Sequence, residues 1–325
     1  MERRLDHIEK WMEPMGDYHV HLHPHGDPVP GSPEPGTFPR DHIERYVEAA
    51  AARGVEEICF TEHLFRMRDS ELVLGDFWRD ESDTVAAHTI GMIETERNMN
   101  LDEYAAAVID AKDSGLPVLL GLEVDYFPET IDAALDLLAP YPWDLIVGGV
   151  HWIGGFAFDH EEMISEFNRR GADQVFEAYY DLETRLAASG AVDVLAHADL
   201  VKKHGHHSAL DPSEVYVNLA RAAAASGTLV EVSSAGLNEV CKEIYPSPAL
   251  LSAFHDEGVG MTMASDTHLP AGSGWGLDVV ADRASKAGYT QRAIFSQRRH
   301  HPVSFAGPDD SAEGVRPGPT RTTSP

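Results

Sequence analysis

Cysteine is scarce in this chain: Cys59 and Cys241 are the two thiols among 325 residues. So few thiols exclude a disulfide framework and fit a reducing compartment. Basic residues are also few. Lys+Arg 25 against Asp+Glu 54 gives a formal net charge of −29, which repels nucleic acid and anionic membranes. No apolar run reaches membrane-spanning length, and Met1 to His7 carry no signal-peptide core. A cytoplasmic protein is therefore expected, with no nucleic acid and no membrane as partner, and the sequence leaves its oligomeric state open. The same negative field would repel a phosphorylated substrate unless bound divalent cations reversed the sign locally. Apolar residues are plentiful at 43%, enough for a large core.

The apolar residues fall into short runs separated by helical periodicity. The first run leads into Asp17-Tyr18-His19-Val20-His21-Leu22-His23-Pro24-His25-Gly26-Asp27. Side chains two apart on a strand share a face, so His19 and His21 point the same way, as a metal-ligand pair does. A Pro/Gly-rich loop precedes a helix over 41–53, with Ile43, Tyr46, Val47 and Ala50 at helical spacing and Gly54 closing it. Further strands are expected over 57–61, 117–125, 143–151, 191–197, 228–233 and 259–265. Helices are expected over 101–114, 129–138, most of 161–190, 212–226, 247–257 and about 276–287. Residues 64–100 read as an acidic, irregular insertion over one end of the fold, and 306–325 as a disordered tail poor in large apolar residues. Strands alternating with helices imply an α/β fold with a parallel sheet, and near-continuous Val, Ile and Leu imply strands buried on both faces. Residues 1–305 are expected to form one barrel domain.

In such barrels the chemistry sits where strands end and the following loops begin. Six of the seven expected strands end in His, Asp or Glu, and the sixth offers Ser233 and Ser234. Gathered at one mouth, the candidates are His19, His21, Asp27, His63, Glu123, His151, His197, Asp266 and His268. Singly, each has an ordinary explanation, such as a hydrogen-bonded core histidine or a helix cap. Jointly they form a pattern that chance rarely produces. Glu62 and His63 are neighbours and cannot both face inward, so His63 is expected as ligand and Glu62 as an acceptor behind it. His23 and His25 share the parity of the first pair, but Pro24 marks a strand end, and they rank below Asp27. Imidazole and carboxylate are ligands of zinc, iron and manganese, and a bridging carboxylate lets two cations lie roughly 3.5–4 Å apart. Nine donors exceed what one ion can use, so two or three divalent metals are expected. Arg66, Lys202, Lys203 and His204 are candidates for holding substrate.

Taken in order, His19-Val20-His21, Thr61-Glu62-His63, Gly121-Leu122-Glu123-Val124-Asp125-Tyr126, Gly149-Val150-His151, His197-Ala198-Asp199-Leu200 and Ser265-Asp266-Thr267-His268 form an ordered set of motifs. That set resembles the PHP (polymerase and histidinol phosphatase) superfamily over about residues 15 to 305, most nearly its monofunctional histidinol-phosphate phosphatases. The resemblance implies a distorted (β/α)7 TIM-like barrel with a trinuclear centre of zinc, iron or manganese. His19, His21, Glu123 and Asp266 would hold the first ion, Glu123, His151 and His197 the second, and Asp27, His63 and His268 the third. The implied activity is hydrolysis of a small phosphorylated metabolite, a phosphomonoester. Two departures stand out. Thr61-Glu62-His63 replaces Thr-Asp-His, and Asn238 occupies the place of an arginine that would clamp phosphate bidentately. Asn238 is therefore expected at the substrate, with the substrate itself changed. An amidohydrolase-type deaminase or C–N hydrolase also begins with HxH but requires an eighth strand. A non-catalytic metal-binding sensor or scaffold would lack a ligand, and none is missing. A nuclease-like PHP module suits the charge poorly.

Overall fold

The computed structural model describes residues 15–26, 28–79 and 83–305. In chain order the elements are β1 (Gly16–Val20), α1 (Arg40–Ala51), β2 (Glu57–Phe60), α2 (Thr84–Glu96), α3 (Leu101–Asp113), β3 (Val118–Asp125), α4 (Ile131–Leu138) and β4 (Leu145–Gly149). They continue with β5 (Trp152–Ile153), β6 (Phe156–Ala157), α5 (Ile164–Arg170), α6 (Ala172–Ser189), β7 (Val194–Leu195), α7 (Ser213–Ser226) and β8 (Leu229–Ser233). The last are α8 (Pro248–Asp256), β9 (Met261–Ala264), α9 (Leu277–Ala287), β10 (Gln291–Ser296) and β11 (Arg299–Ser304).

Seven strands form one parallel sheet in the order β1-β2-β3-β4-β7-β8-β9. Its edges meet: His21 N donates to Thr267 O at 2.8 Å and Asp266 N to His19 O at 2.9 Å. The carboxylate of Asp17 reinforces this seam, accepting from Ser265 N and Oγ at 2.8 and 2.6 Å and from Gly274 N at 2.8 Å. The expected (β/α)7 barrel is what the chain forms. Among the described residues there is no eighth strand in the ring.

Strand alternation divides each strand between a helix-facing side and the barrel interior. Along β3, Leu119 lies in the cluster at the barrel floor while Glu123 reaches the mouth two inward positions later. Leu145, Val147, Val194, Ala196 and Leu229 fill the same floor, and Val230 and Val232 belong to the larger core under the helices. β1 breaks the alternation. Its register shifts by one residue between Asp17 and Val20, so Tyr18 joins the floor while the next residue, His19, also turns inward to the mouth. Bulges of this kind commonly re-aim side chains beside sites.

Two features escaped the sequence reading. The β10–β11 hairpin plugs the floor with Ala293 and Phe295, the latter edge-on to Tyr18 with centroids 5.2 Å apart. Its turn residues Gln297 (φ 51°) and Arg298 (φ 58°) are left-handed without glycine, held by Asp144 and by the pairing of Arg298 with Asp193. Second, residues 64–100 are not simply irregular. They contain short 3-10 turns and then α2, whose N-cap Asp83 accepts from Val85 N at 2.8 Å. Phe65, Leu74, Ala86, Ile90 and Ile93 from this region pack with Phe127, Trp152 and Ala157 in a satellite apolar cluster beside the mouth. The tail expected over 306–325 lies outside the described residues. No helix among the described residues is long and apolar enough to cross a membrane.

Candidate metal centre

The strand ends deliver their donors to one place. His19 leaves β1 and His21 follows it, with the two Nε2 atoms 2.9 Å apart. Glu123 Oε2 lies 3.4 Å from the first and 3.5 Å from the second, and Asp266 Oδ1 lies 3.6 and 3.4 Å away. The other carboxylate oxygen of Glu123 faces His197 Nε2 at 3.0 Å and His151 Nε2 at 3.5 Å. His63 Nδ1 stands 2.7 Å from Glu123 Oε2 without hydrogen-bond alignment. His268 stacks on His21 with centroids 4.2 Å apart. Two of these donors leave their strands through left-handed backbone, His197 at φ 30° and Asp266 at φ 51°. Such conformations cost about 1–3 kcal/mol each and persist where the surroundings impose them. Gly149 makes room for the cluster, since a Cβ there would stand 2.7 Å from His197 Cε1 and 3.5 Å from Glu123 Oε1.

Three donor groups result, His19–His21–Glu123, Glu123–His151–His197 and His21–His63–His268. Within them His63 Nδ1, Glu123 Oε2 and His268 Nε2 are buried without a hydrogen-bond partner. Buried polar atoms ordinarily find partners. Unpartnered nitrogens and oxygens converging at these spacings fit divalent cations. Asp27, expected beside His63 and His268, lies outside the described residues. His25, ranked below it, is at the centre: its Nε2 is 3.1 Å from His63 Nε2 and its ring centroid 4.6 Å from that of His268. His23 turns away, with Nε2 2.9 Å from Thr37 O.

Carboxylates behind these donors set their orientation. Glu231, inside β8, accepts from His19 Nδ1 at 2.7 Å and from His197 N at 2.7 Å. Asp125 accepts from His151 Nδ1 at 2.7 Å. Each leaves the opposite imidazole nitrogen for a metal. Glu62 accepts from Leu22 N and His23 N at 2.5 and 3.0 Å, with its other oxygen 4.0 Å from His21 Nδ1. Sequence reasoning missed Glu231 and left Asp125 unassigned. The available signal was a carboxylate flanked by valines in a buried strand, which needs a partner.

Charge divides the imidazoles. Burial alone would depress His19 and His151, but Glu231 with Asp266 and Glu123 holds His19 well above its ordinary value, and Glu123 with Asp125 pushes His151 up to about 9. Burial, only partly offset by Glu123, holds His63 well below its ordinary value. Burial and then His21 do the same to His268. Glu123 stays ionised despite burial because His63, His19 and His151 surround it.

The centre opens into a cavity of about 400 Å3 whose wall includes Lys203, His204, Asp159, Glu161 and Glu239. Of the five expected substrate residues, Lys203 and His204 line it, the latter with Nε2 2.7 Å from Asp159 O. The other three do not. Arg66 is buried and donates to His23 O and Pro24 O at 3.0 and 2.9 Å, bracing the loop that carries His25. Lys202 is spent on Asp199 Oδ2, Glu243 Oε2 and Ile244 O, at 2.8, 3.1 and 2.9 Å. Asn238 is exposed and off the wall, its carbonyl accepting from Lys242 Nζ at 3.0 Å. The cation on the wall is Lys203, 3.4 Å from Asp159 Oδ2.

A seven-stranded ring whose mouth gathers imidazoles and carboxylates around a cavity is a metallohydrolase barrel. The PHP domain family model matches residues 40–235, more than half of the chain, and the chain belongs to that family. A Deinococcus radiodurans protein named probable histidinol-phosphatase is 30% identical over 259 residues, covering 79% of this chain and 91% of the relative. Lactococcus lactis histidinol-phosphatase is 24% identical over 294 residues, 86% of this chain and 94% of its own. The crystal structure of histidinol phosphate phosphatase from Lactococcus lactis, complexed with zinc, L-histidinol and phosphate, matches with a TM-score of 0.66 at 20% identity, covering 88% of this chain and 98% of that one. This likeness bears on the fold, and it agrees with the ring described above.

Proposed function

We propose that this chain removes the phosphate from histidinol phosphate, or from a small phosphomonoester of the same kind, at a centre of three divalent cations. The chain is a metal-dependent phosphatase of the PHP family. The observation that carries the reading is that three donor groups share Glu123 and His21 at the edge of one cavity. His19, His21, Glu123 and Asp266 would hold one ion, and Glu123, His151 and His197 a second. His63 and His268 would hold a third, with His25 and Asp27 as the remaining candidates for that ion. Zinc, iron and manganese all suit such nitrogen and oxygen donors. Divalent cations bound there supply positive charge for the phosphoryl oxygens and a nucleophile at neutral pH.

The protein's own residues do the rest. Glu231 and Asp125 keep His19 and His151 aimed at the centre. Lys203 offers the phosphate an ammonium on the cavity wall, in place of the arginine that Asn238 does not supply. Glu161 and Glu239 give the outer wall the charge that suits the amine of histidinol. Residues 64–100 roof one side of the mouth within a single barrel domain, and two free thiols suit the reducing cytoplasm.

The test is phosphate release from a panel of phosphomonoesters including histidinol phosphate, with chelator and after reloading with zinc, manganese or iron. Chelator-sensitive release strongest on histidinol phosphate is expected. A metal-loaded protein that hydrolyses no ester overturns the proposal.

A further inference from the structure

A second gathering of donors sits on the rim of the cavity, apart from the centre. His88 on α2 and His160, just after β6, bring Nε2 and Nδ1 to 3.2 Å. Glu162 adds a carboxylate oxygen, and the three ligand atoms lie within 4.8 Å of one another. Two nitrogens on one tetrahedral zinc, each about 2.0–2.1 Å from it, stand about 3.3 Å apart. The spacing at the rim matches this. The two rings meet at 81° with centroids 5.4 Å apart, so the contact is nitrogen to nitrogen rather than face to face.

We infer that His88, His160 and Glu162 form a separate site for one zinc-like divalent cation, which fastens helix α2 to the β5–β6 hairpin at the rim. Two imidazoles and a carboxylate are a borderline donor set that zinc accepts with a fourth position left for water. The chain's excess of acidic residues favours a cation there. The two segments are already in close register. Thr89 Oγ1 donates to Gly155 O at 2.8 Å, and a Cβ on Gly155 would stand 2.5 Å from that of Ala86. A shared ion closes a link across 72 residues of sequence. Because His160 also faces the cavity, occupancy stiffens the wall that substrate must pass.

The test uses the full chain with its centre loaded with zinc and free metal removed. Wild type, His88→Ala and Glu162→Gln are then titrated with Zn2+ and their bound metal counted by elemental analysis after dialysis. Wild type is expected to take up one equivalent more than His88→Ala, and Glu162→Gln to bind that equivalent at least about tenfold more weakly, as loss of a supporting contact does in other zinc sites. Equal uptake by wild type and folded His88→Ala overturns the inference and leaves a hydrogen-bonded histidine pair. Should His88→Ala fail to fold, unchanged affinity in Glu162→Gln overturns it, because Glu162 is exposed and its replacement leaves the core intact.

Discussion

Replacing Glu231 with Gln removes one charge from behind the centre while nearly preserving volume. In the native chain one carboxylate serves two buried donors, His19 Nδ1 and His197 N, each at 2.7 Å. A glutamine has one acceptor oxygen and a donating NH2 group, so one of those N–H groups must face another donor. A buried donor left unsatisfied costs about 1–3 kcal/mol of fold stability. Loss of a carboxylate that orients a ligating imidazole lowers metal affinity roughly 10–100-fold, or about 1.4–2.8 kcal/mol. Metal-depleted wild type and Glu231→Gln, titrated with Zn2+ in competition with a chromophoric chelator, should therefore differ by that factor, and urea unfolding should show the smaller stability. Unchanged zinc affinity in a folded Glu231→Gln protein would refute the reasoning, because His19 would then hold its orientation without the carboxylate.

Other outcomes follow from the same geometry. Glu123 belongs to two donor groups and His63 to one, so elemental analysis should find more metal lost from Glu123→Ala than from His63→Ala; equal losses would count against a shared carboxylate. His151 is pushed up to about 9 and His19 is also raised, so at pH 7 the metal-free protein carries protons on both. Loading with zinc must displace them, and apparent affinity should rise about tenfold per pH unit for each proton until the pH passes their folded-state values. Calorimetry at pH 7 in buffers of different ionisation heat reads the release directly, and binding heats that do not depend on the buffer would contradict it. Asn238→Arg, which the motif comparison favours as a gain for histidinol phosphate, should leave kcat/KM unchanged because Asn238 is exposed and off the cavity wall; a clear rise would show that this position reaches substrate.

The barrel and most of its donors were legible because the period of a strand is two residues, and a polar residue ending an apolar run has only the mouth to face. What stayed hidden depends on contacts between distant segments. His25 ranked low because Pro24 ends the strand, yet the loop curls back under Arg66 and Glu96, the latter 2.9 Å from His25 Nδ1. Lys202 and Lys203 are adjacent, and only the 3-10 turn Leu200–Lys202 decides that the first faces Asp199 and the second the cavity. Helix α2 carries β-branched Thr84, Val85, Thr89 and Ile90, which weaken the helical signal, and the β10–β11 turn lacks the Asn-Gly or Asp-Gly pair that announces a hairpin.

The seam between β1 and β9 brings together residues from opposite stretches of the chain, His19 synthesised early and Asp266 late. A cation seated across that joint would meet its full set of donors only after β9 has been made and the ring has shut. Completing that seat is thus a late step of folding, since a chain that stops before β9 lacks both Asp266 and the backbone bonds that fix the end of β1.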